Sequence, residues 1–179
     1  MKKSIICLIF SFLVSSEMLA QDSNQSQAEH AVERGWQYFN RGDVETALKR
    51  FNQARIIDKE FAPAYFGTAY VLSTQGNLDK AIGFYEKTIT LEPEFPHSYS
   101  NLGLALIYQG KMGAAFKHLN KAIELVPNDG DVNVNMAVWH YEAGQYAKAW
   151  KHVKAAVKYG ANVNNAFIKD LSLKMVEPK

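Results

Sequence analysis

The sequence of 179 residues is poor in cysteine, and its one cysteine, Cys7, lies close to the N-terminus. A disulfide-rich scaffold is therefore excluded, and the chain must be stabilised by packing alone. Lipidation of Cys7 is not expected either, because a lipoprotein signal places its cysteine after the apolar run. Here most of that run follows the cysteine.

An excess of charge of one sign is also lacking, since 20 Lys and Arg residues face 18 Asp and Glu residues. The net charge of +2 and the absence of a Lys/Arg run argue against a nucleic-acid partner. The composition, 47% hydrophobic and 21% charged, is that of a folded domain and not of a disordered chain.

A hydrophobic run long enough to span a membrane is missing as well. The apolar stretch over residues 5–14 would cover about 15 Å as a helix, about half of a bilayer core, so no stable membrane anchor is expected. With Lys2 and Lys3 before it, this stretch predicts a signal peptide over residues 1–20, cleaved after Ala20. Cleavage after Ser16 and a short uncleaved anchor stay open as alternatives. The expected location is periplasmic or secreted.

The sequence does contain an internal repeat with a period of 34 residues. A glycine recurs at this interval, with a small residue seven positions before it, an alanine five positions after it and a large apolar residue nine positions after it. The glycines are Gly42, Gly76, Gly110 and Gly144, the small residues Gly35, Ala69, Gly103 and Ala137, the alanines Ala47, Ala81, Ala115 and Ala149, and the large residues Phe51, Tyr85, Leu119 and Val153. Each period predicts two helices that cross at small residues and are joined by a glycine turn.

A 34-residue helix pair with this pattern resembles the tetratricopeptide repeat. The third period is the most similar, with Tyr99, Leu102, Gly103, Leu106, Ala115, Leu119, Ala122 and Pro127 in the signature positions. The resemblance implies an all-α fold, a right-handed superhelical solenoid of four tetratricopeptide-type helix pairs plus a C-terminal capping helix.

The 34-residue period also predicts how the chain is divided into segments. A flexible polar leader is expected over 21–27, four repeats over 28–61, 62–95, 96–129 and 130–163 (together 28–163), and the capping helix and tail over 164–179. In the capping helix, the apolar side chains of Phe167, Leu171 and Met175 are expected to cover the last helix pair.

In this family the first helices of successive pairs line a concave groove that commonly receives an extended peptide or a partner helix. The resemblance places thirteen residues there: Val32, Trp36, Asn40, Phe66, Tyr70, Thr74, His97, Asn101, Leu104, Tyr108, Asn135, Val138 and Glu142. A clamp for a carboxylate is not expected, because Val32 and Trp36 replace the Lys and Asn that it needs. If these residues bind a partner, alanine at Trp36 or Tyr70 should spare the stability of the fold. The alternative is that the aromatics are packed by their neighbours.

No arrangement of nucleophile, base and oxyanion donors is evident, so the protein is not expected to be an enzyme or to need a cofactor. His118 and His152 share one repeat position, but further metal ligands are missing and no metal site is expected. His140 is expected to be a structural histidine, at least half-buried. The sequence therefore predicts a non-catalytic scaffold for a protein or peptide partner, located in the cell envelope or secreted. The alternative is binding of a non-protein ligand such as glycan or peptidoglycan.

Overall fold

A computed structural model describes the backbone of residues 2–178 and the side chains of residues 21–178. Within this part of the chain the regular secondary structure is entirely helical. The helices are α1 (Lys2–Asn40), α2 (Val44–Ile57), α3 (Ala62–Thr74), α4 (Leu78–Leu91), α5 (Pro96–Tyr108), α6 (Met112–Leu125), α7 (Gly130–Glu142), α8 (Tyr146–Lys158) and α9 (Asn165–Lys174). The all-α prediction is confirmed, and α3, α5 and α7 begin 34 residues apart.

The chain divides into two compact units, Met1–Val71 and Leu72–Lys179. In the first, which we call the N-terminal unit, α2 packs against α1 after a tight turn. Gly42 adopts φ of +80° in this turn, a conformation that disfavours a side chain. The Asp43 carboxylate then accepts a hydrogen bond from the Thr46 backbone N–H at 3.1 Å and caps α2.

The core of the N-terminal unit is built around the fully buried ring of Phe51 on α2. A Cβ added at Gly35 on α1 would lie 2.6 Å from Phe51 Cε1, and one added at Gly67 on α3 would lie 2.4 Å from it. Both glycines therefore leave space that the ring fills. At Gly35 this explains the small residue that the repeat places at a helix crossing, whereas Gly67 is not one of the repeat's small positions.

The second compact unit, called the C-terminal unit, contains the end of α3 and all of α4 to α9. Here α5 packs on α6 and α7 on α8, while α5 also contacts α4 and α7. Its largest fully buried side chains include Tyr85, Leu102, Leu119 and Leu171. The repeat alanines at the helix crossings, Ala81, Ala115 and Ala149 in this unit and Ala47 in the other, are all fully buried.

The C-terminal helix α9 packs on the last helix pair through Leu171, which is fully buried beside Val153 and Trp150. Phe167 also packs there, as predicted. Met175 follows the last residue of α9, Lys174, and its side chain remains 37% exposed. Its backbone carbonyl instead accepts a hydrogen bond from Trp150 Nε1 at 2.9 Å. The apolar cover is thus shorter than predicted.

Residues 21–27, for which the composition predicts a flexible leader, continue helix α1 in the structure with exposed side chains. Side-chain bonds one helical turn apart accompany this, since Gln25 Nε2 donates to Glu29 Oε1 at 3.1 Å and Gln27 Nε2 donates to Ser23 Oγ at 3.2 Å. The predicted signal peptide lies outside the residues whose side chains are described. Among the described residues, no helix combines the length and apolar character needed to cross a membrane.

Candidate partner-binding surface

Five aromatic rings of the N-terminal unit lie together, and we call them the aromatic cluster: Trp36, Phe39, Phe51, Phe66 and Tyr70. The Trp36 ring is at its centre, with centroid distances of 5.1 Å to Phe51, 5.4 Å to Tyr70 and 6.1 Å to Phe66. Only Phe51 is fully buried, and the other four are half-buried. Three residues predicted to bind a partner are thus brought together on one partly exposed surface.

The Trp36 ring also packs against the core of the N-terminal unit through its contact with Phe51. Its ring meets Phe51 at 69°, an edge-to-face arrangement that stabilises aromatic pairs. For Trp36 the alternative given above, an aromatic packed by its neighbours, therefore applies to the part of the ring that contacts Phe51. Of the other predicted positions on α1, Val32 is buried and Asn40 is exposed.

Phe39 belongs to the aromatic cluster but was missed by the sequence prediction. Its ring lies 5.5 Å from Tyr70 and 6.0 Å from Trp36. Trp36 and Phe39 are three residues apart on α1, and residues at that spacing share one helix face. This spacing was the signal that could have identified Phe39.

In the C-terminal unit, the most exposed aromatic among the predicted positions is Tyr108 at the end of α5, with 68% of its surface accessible. His97, Asn101, Leu104 and Val138 are half-buried, whereas Thr74 and Glu142 are exposed. His97 Nε2 lies 3.9 Å from Asp129 Oδ2.

Asn135, also predicted to face a partner, is used to join helices. Its Nδ2 donates to Ser100 Oγ at 2.9 Å and lies 3.4 Å from Asn101 Oδ1, which links α7 to α5. The side chain is buried. Because a buried amide must keep its hydrogen bonds, Asn135 stabilises the unit and has little surface to offer a partner.

The C-terminal unit also contains an aromatic pair that was not predicted from the sequence. The rings of Phe116 on α6 and Trp139 on α7 lie 4.4 Å apart at 33°, and Trp139 Nε1 donates to the Met112 carbonyl at 2.9 Å. The Phe116 side chain is exposed. The two residues are 23 positions apart in sequence, so no simple spacing rule pairs them.

His118, His140 and His152 all make contacts with neighbouring side chains of the C-terminal unit. His140 is buried, as predicted, with Nδ1 3.0 Å from Gln145 Oε1, and its ring stacks on His152 at 5.2 Å. Burial lowers the pKa of His140, and burial with the neighbouring imidazole lowers the pKa of His152 to about 4. His118 instead stacks on Tyr99 at 6.0 Å. Among the described residues, no group of three or more His, Cys, Asp or Glu could hold a metal ion.

Comparison with protein families gives two matches, both to the tetratricopeptide repeat. One covers residues 32–98 and the other residues 96–129, so together they span more than half of the chain. No curated protein sequence matches the chain significantly.

Solved structures with a similar fold include a thermophilic tetratricopeptide repeat protein of Thermus thermophilus, with a TM-score of 0.74, 19% identity, and coverage of 83% of this chain and 82% of that one. Another is pilF of Pseudomonas aeruginosa, with a TM-score of 0.70, 21% identity, and coverage of 86% and 68%. A third is YrrB, described as a tetratricopeptide repeat protein with an unusual peptide-binding site, with a TM-score of 0.60, 21% identity, and coverage of 80% and 74%. At these identities the similarity shows the fold, a helical solenoid.

Proposed function

Because the chain belongs to the tetratricopeptide repeat family, we propose that it is a non-catalytic scaffold that binds a protein or peptide partner through its groove-facing side chains. Proteins of this family generally bind protein or peptide partners and are typically not enzymes.

The observation that carries the proposal is the partial exposure of the aromatic cluster in the N-terminal unit. The ring centroids of Trp36, Phe66 and Tyr70 lie 5.4 to 6.3 Å apart, and all three side chains retain accessible surface. Solvated helix faces normally carry Lys and Glu, so half-buried aromatics there are unusual. Trp and Tyr are over-represented at binding hot spots because they bury a large area and order few torsions.

Tyr108 supports the same proposal for the C-terminal unit. A tyrosine with two thirds of its surface exposed contributes little to packing. It can nevertheless bury that surface against a partner and donate a hydrogen bond from its hydroxyl group. It stands in the repeat position that Asn40, Thr74 and Glu142 occupy in the other repeats. An aromatic residue at this position is therefore not required by the repeat itself.

We further propose that the protein is exported and acts in the periplasm or outside the cell. The support is the sequence of residues 1–20, in which two lysines precede a short apolar run and Ala20 offers a cleavage site. The intact mass of the protein from its native cells tests this. A chain that begins near Gln21 is expected, whereas recovery of the full-length chain in membranes would contradict export.

The binding proposal is tested by affinity capture from native cells that produce the chain with a C-terminal tag. Three versions are compared: the parent, Tyr108→Ala, and the control Ile56→Ala, which removes a 70% exposed apolar side chain from α2. We expect the parent and the control to retain one polypeptide in stoichiometric amount and Tyr108→Ala to lose it. Equal capture by all three would contradict a role of Tyr108 in binding. Recovery of saccharide in place of a polypeptide would favour glycan binding.

A further inference from the structure

A separate cleft lies between α1 and α2 of the N-terminal unit, with a volume of about 410 Å³. Its polar lining residues are Ser26, Gln27, His30, Arg34, Arg50 and Gln53. None of the described residues that line it is acidic, although the chain holds 18 Asp and Glu residues. The cleft thus concentrates hydrogen-bond donors and positive charge without an internal counter-ion.

The Arg50 guanidinium makes only some of the hydrogen bonds that it can donate. Arg50 Nη1 donates to Gln53 Oε1 at 2.9 Å, and the Arg50 guanidinium lies 5.9 Å from the centroid of the Tyr38 ring. The Arg50 Nε–H, by contrast, is shielded from solvent and has no acceptor. A buried donor without an acceptor is costly, so an incoming acceptor at this point would be favoured.

The two guanidinium groups also change the pKa of the neighbouring phenol, Tyr38. A hydrogen bond and the charge of Arg34, together with a hydrogen bond from Arg50, lower the pKa of Tyr38 below its ordinary value. Among the residues whose side chains are described, the acidic group paired with a lining residue is Glu33, 3.8 Å from His30, and both side chains are largely exposed. Glu33 therefore does not neutralise the arginines.

The repeat does not require arginine at either position. The position of Arg34 holds Thr68, Leu102 and Met136 in the other repeats, and that of Arg50 holds Phe84, His118 and His152. The pair of arginines is therefore specific to the first repeat. If this surface of α1 and α2 were simply exposed to water, any polar residue would be suitable at the two positions. A buried Nε–H without an acceptor would then not be expected.

We propose that this cleft is a binding site for an oxyanion, the carboxylate or phosphate group of a small organic molecule, held between Arg34 and Arg50. The planar guanidinium donates two parallel hydrogen bonds to such a group, and charge-assisted bonds of this kind are the stronger ones. Gln27 and Ser26 supply further donors at the edge. The apolar side chains of Ala31 and Ile57, which also line the cleft, would contact the carbon attached to the anion.

The test is an NMR titration of the full chain with phenyl phosphate and, separately, with benzoate, following the Arg Nε–Hε signals. We expect saturable shifts of the Arg34 and Arg50 signals, and affinity reduced about tenfold or more by Arg34→Gln or Arg50→Gln. The matched control is Arg41→Gln, which removes the same charge from an exposed residue of the turn after α1 and should change affinity by about twofold or less. Arg50→Lys keeps the charge but removes the planar fork, so it should also weaken binding.

The two probes distinguish the source of the anion. Binding of phenyl phosphate alone would assign a phosphate ester, and binding of benzoate alone a carboxylate. The proposal is overturned if neither probe shifts the two arginine signals, or if Arg41→Gln weakens binding as much as the cleft variants do, since the attraction would then be one of overall charge. Circular dichroism of each variant confirms that the helices are retained.

Discussion

The imidazole rings of His140 and His152 stack almost parallel, with centroids 5.2 Å apart and planes inclined by 16°. The amide of Asn133 places a proton on Nδ1 of the second ring, His152, and so selects its neutral tautomer. Its Nδ2 donates to the carbonyls of Pro127 and Asp129, so its Oδ1 faces His152 and accepts from Nδ1–H at 2.9 Å. Burial disfavours the charged form of both rings, and a proton added to either would place a cation against the other ring.

We predict that the fold loses stability in acid because of this pair. Burial lowers the pKa of both rings. The charge of Lys148 also lowers the pKa of His140, and the neighbouring imidazole and Lys151 lower the pKa of His152 further, to about 4 against 6.5 for an unperturbed histidine. For a base with a lowered folded-state pKa, the stabilisation is complete above 6.5 and is lost as the pH falls from 6.5 to about 4. The Tm should therefore fall across that window.

The variant that isolates this effect is His152→Phe, because Phe84 occupies the same repeat position. Its ring still packs, but it cannot be protonated, so its Tm should depend less on pH below 6.5 than that of the parent. His30→Gln changes an exposed histidine and should keep the parent's pH dependence. Equal slopes for His152→Phe and the parent would show that other groups cause the acid sensitivity.

A second prediction concerns the space that Phe51 fills. Gly67→Ala places a Cβ 2.4 Å from that ring, whereas Gly83→Ala, in helix α4, places one in open space. Both variants gain about 1 kcal/mol of helix preference, but only Gly67→Ala incurs an overpacking cost of about 1–3 kcal/mol. Urea unfolding should rank Gly83→Ala above the parent and Gly67→Ala at or below it. Equal stabilisation of both variants would show that the ring moves aside without cost.

The sequence predicted the helix crossings well because they depend on residue size at fixed spacing. Gly35, Ala47 and Ala81 occupy positions where the period places small residues, and each is buried. The contacts of Trp36 were not predicted, since a repeat position specifies the helix face but not how far a large ring reaches across it. Asn135 shows the same limit, because its bond to Ser100 depends on the distance between two helices.

The ends of the repeat region were predicted less completely. Polar composition over residues 21–27 favours a flexible segment, but a helix already formed from Ala28 onward can extend into it, because propagation costs less than nucleation. At the other end, the apolar spacing identified Leu171 correctly. It did not reveal that the helix stops at Lys174, one residue before Met175.

A third prediction tests whether α9 is structural. Leu171→Ala removes a fully buried side chain from the contact between α9 and the last helix pair, and a cost of about 2–5 kcal/mol is expected. Leu173→Ala, in the same helix, changes a side chain that is 77% exposed and should alter stability by about 0.5 kcal/mol or less. Unfolding curves of the two variants measure the difference. Identical curves would mean that α9 is docked without contributing to stability.

The last prediction separates packing from binding in the aromatic residues. Trp36→Ala removes a ring that packs on Phe51, so it should lower stability by up to about 3 kcal/mol, less than the loss of a fully buried Trp. Trp36→Phe keeps an aromatic ring at this site and should recover most of that loss. Tyr108→Ala should leave the Tm nearly unchanged, because most of that side chain is already in solvent.

Partner affinity, measured on the same three variants at a temperature where all remain folded, then assigns the role of each ring. Tyr108→Ala should weaken binding by about 2 kcal/mol at full stability, the range of a hot spot. Trp36→Ala should weaken both binding and stability, whereas Trp36→Phe should restore stability more than affinity, because phenylalanine lacks the indole N–H and offers less contact area. If Trp36→Phe restored both equally, Trp36 would act only by supporting the aromatic cluster. Within that cluster, the contacts with the partner would then have to come from the other rings, such as Phe66 and Tyr70.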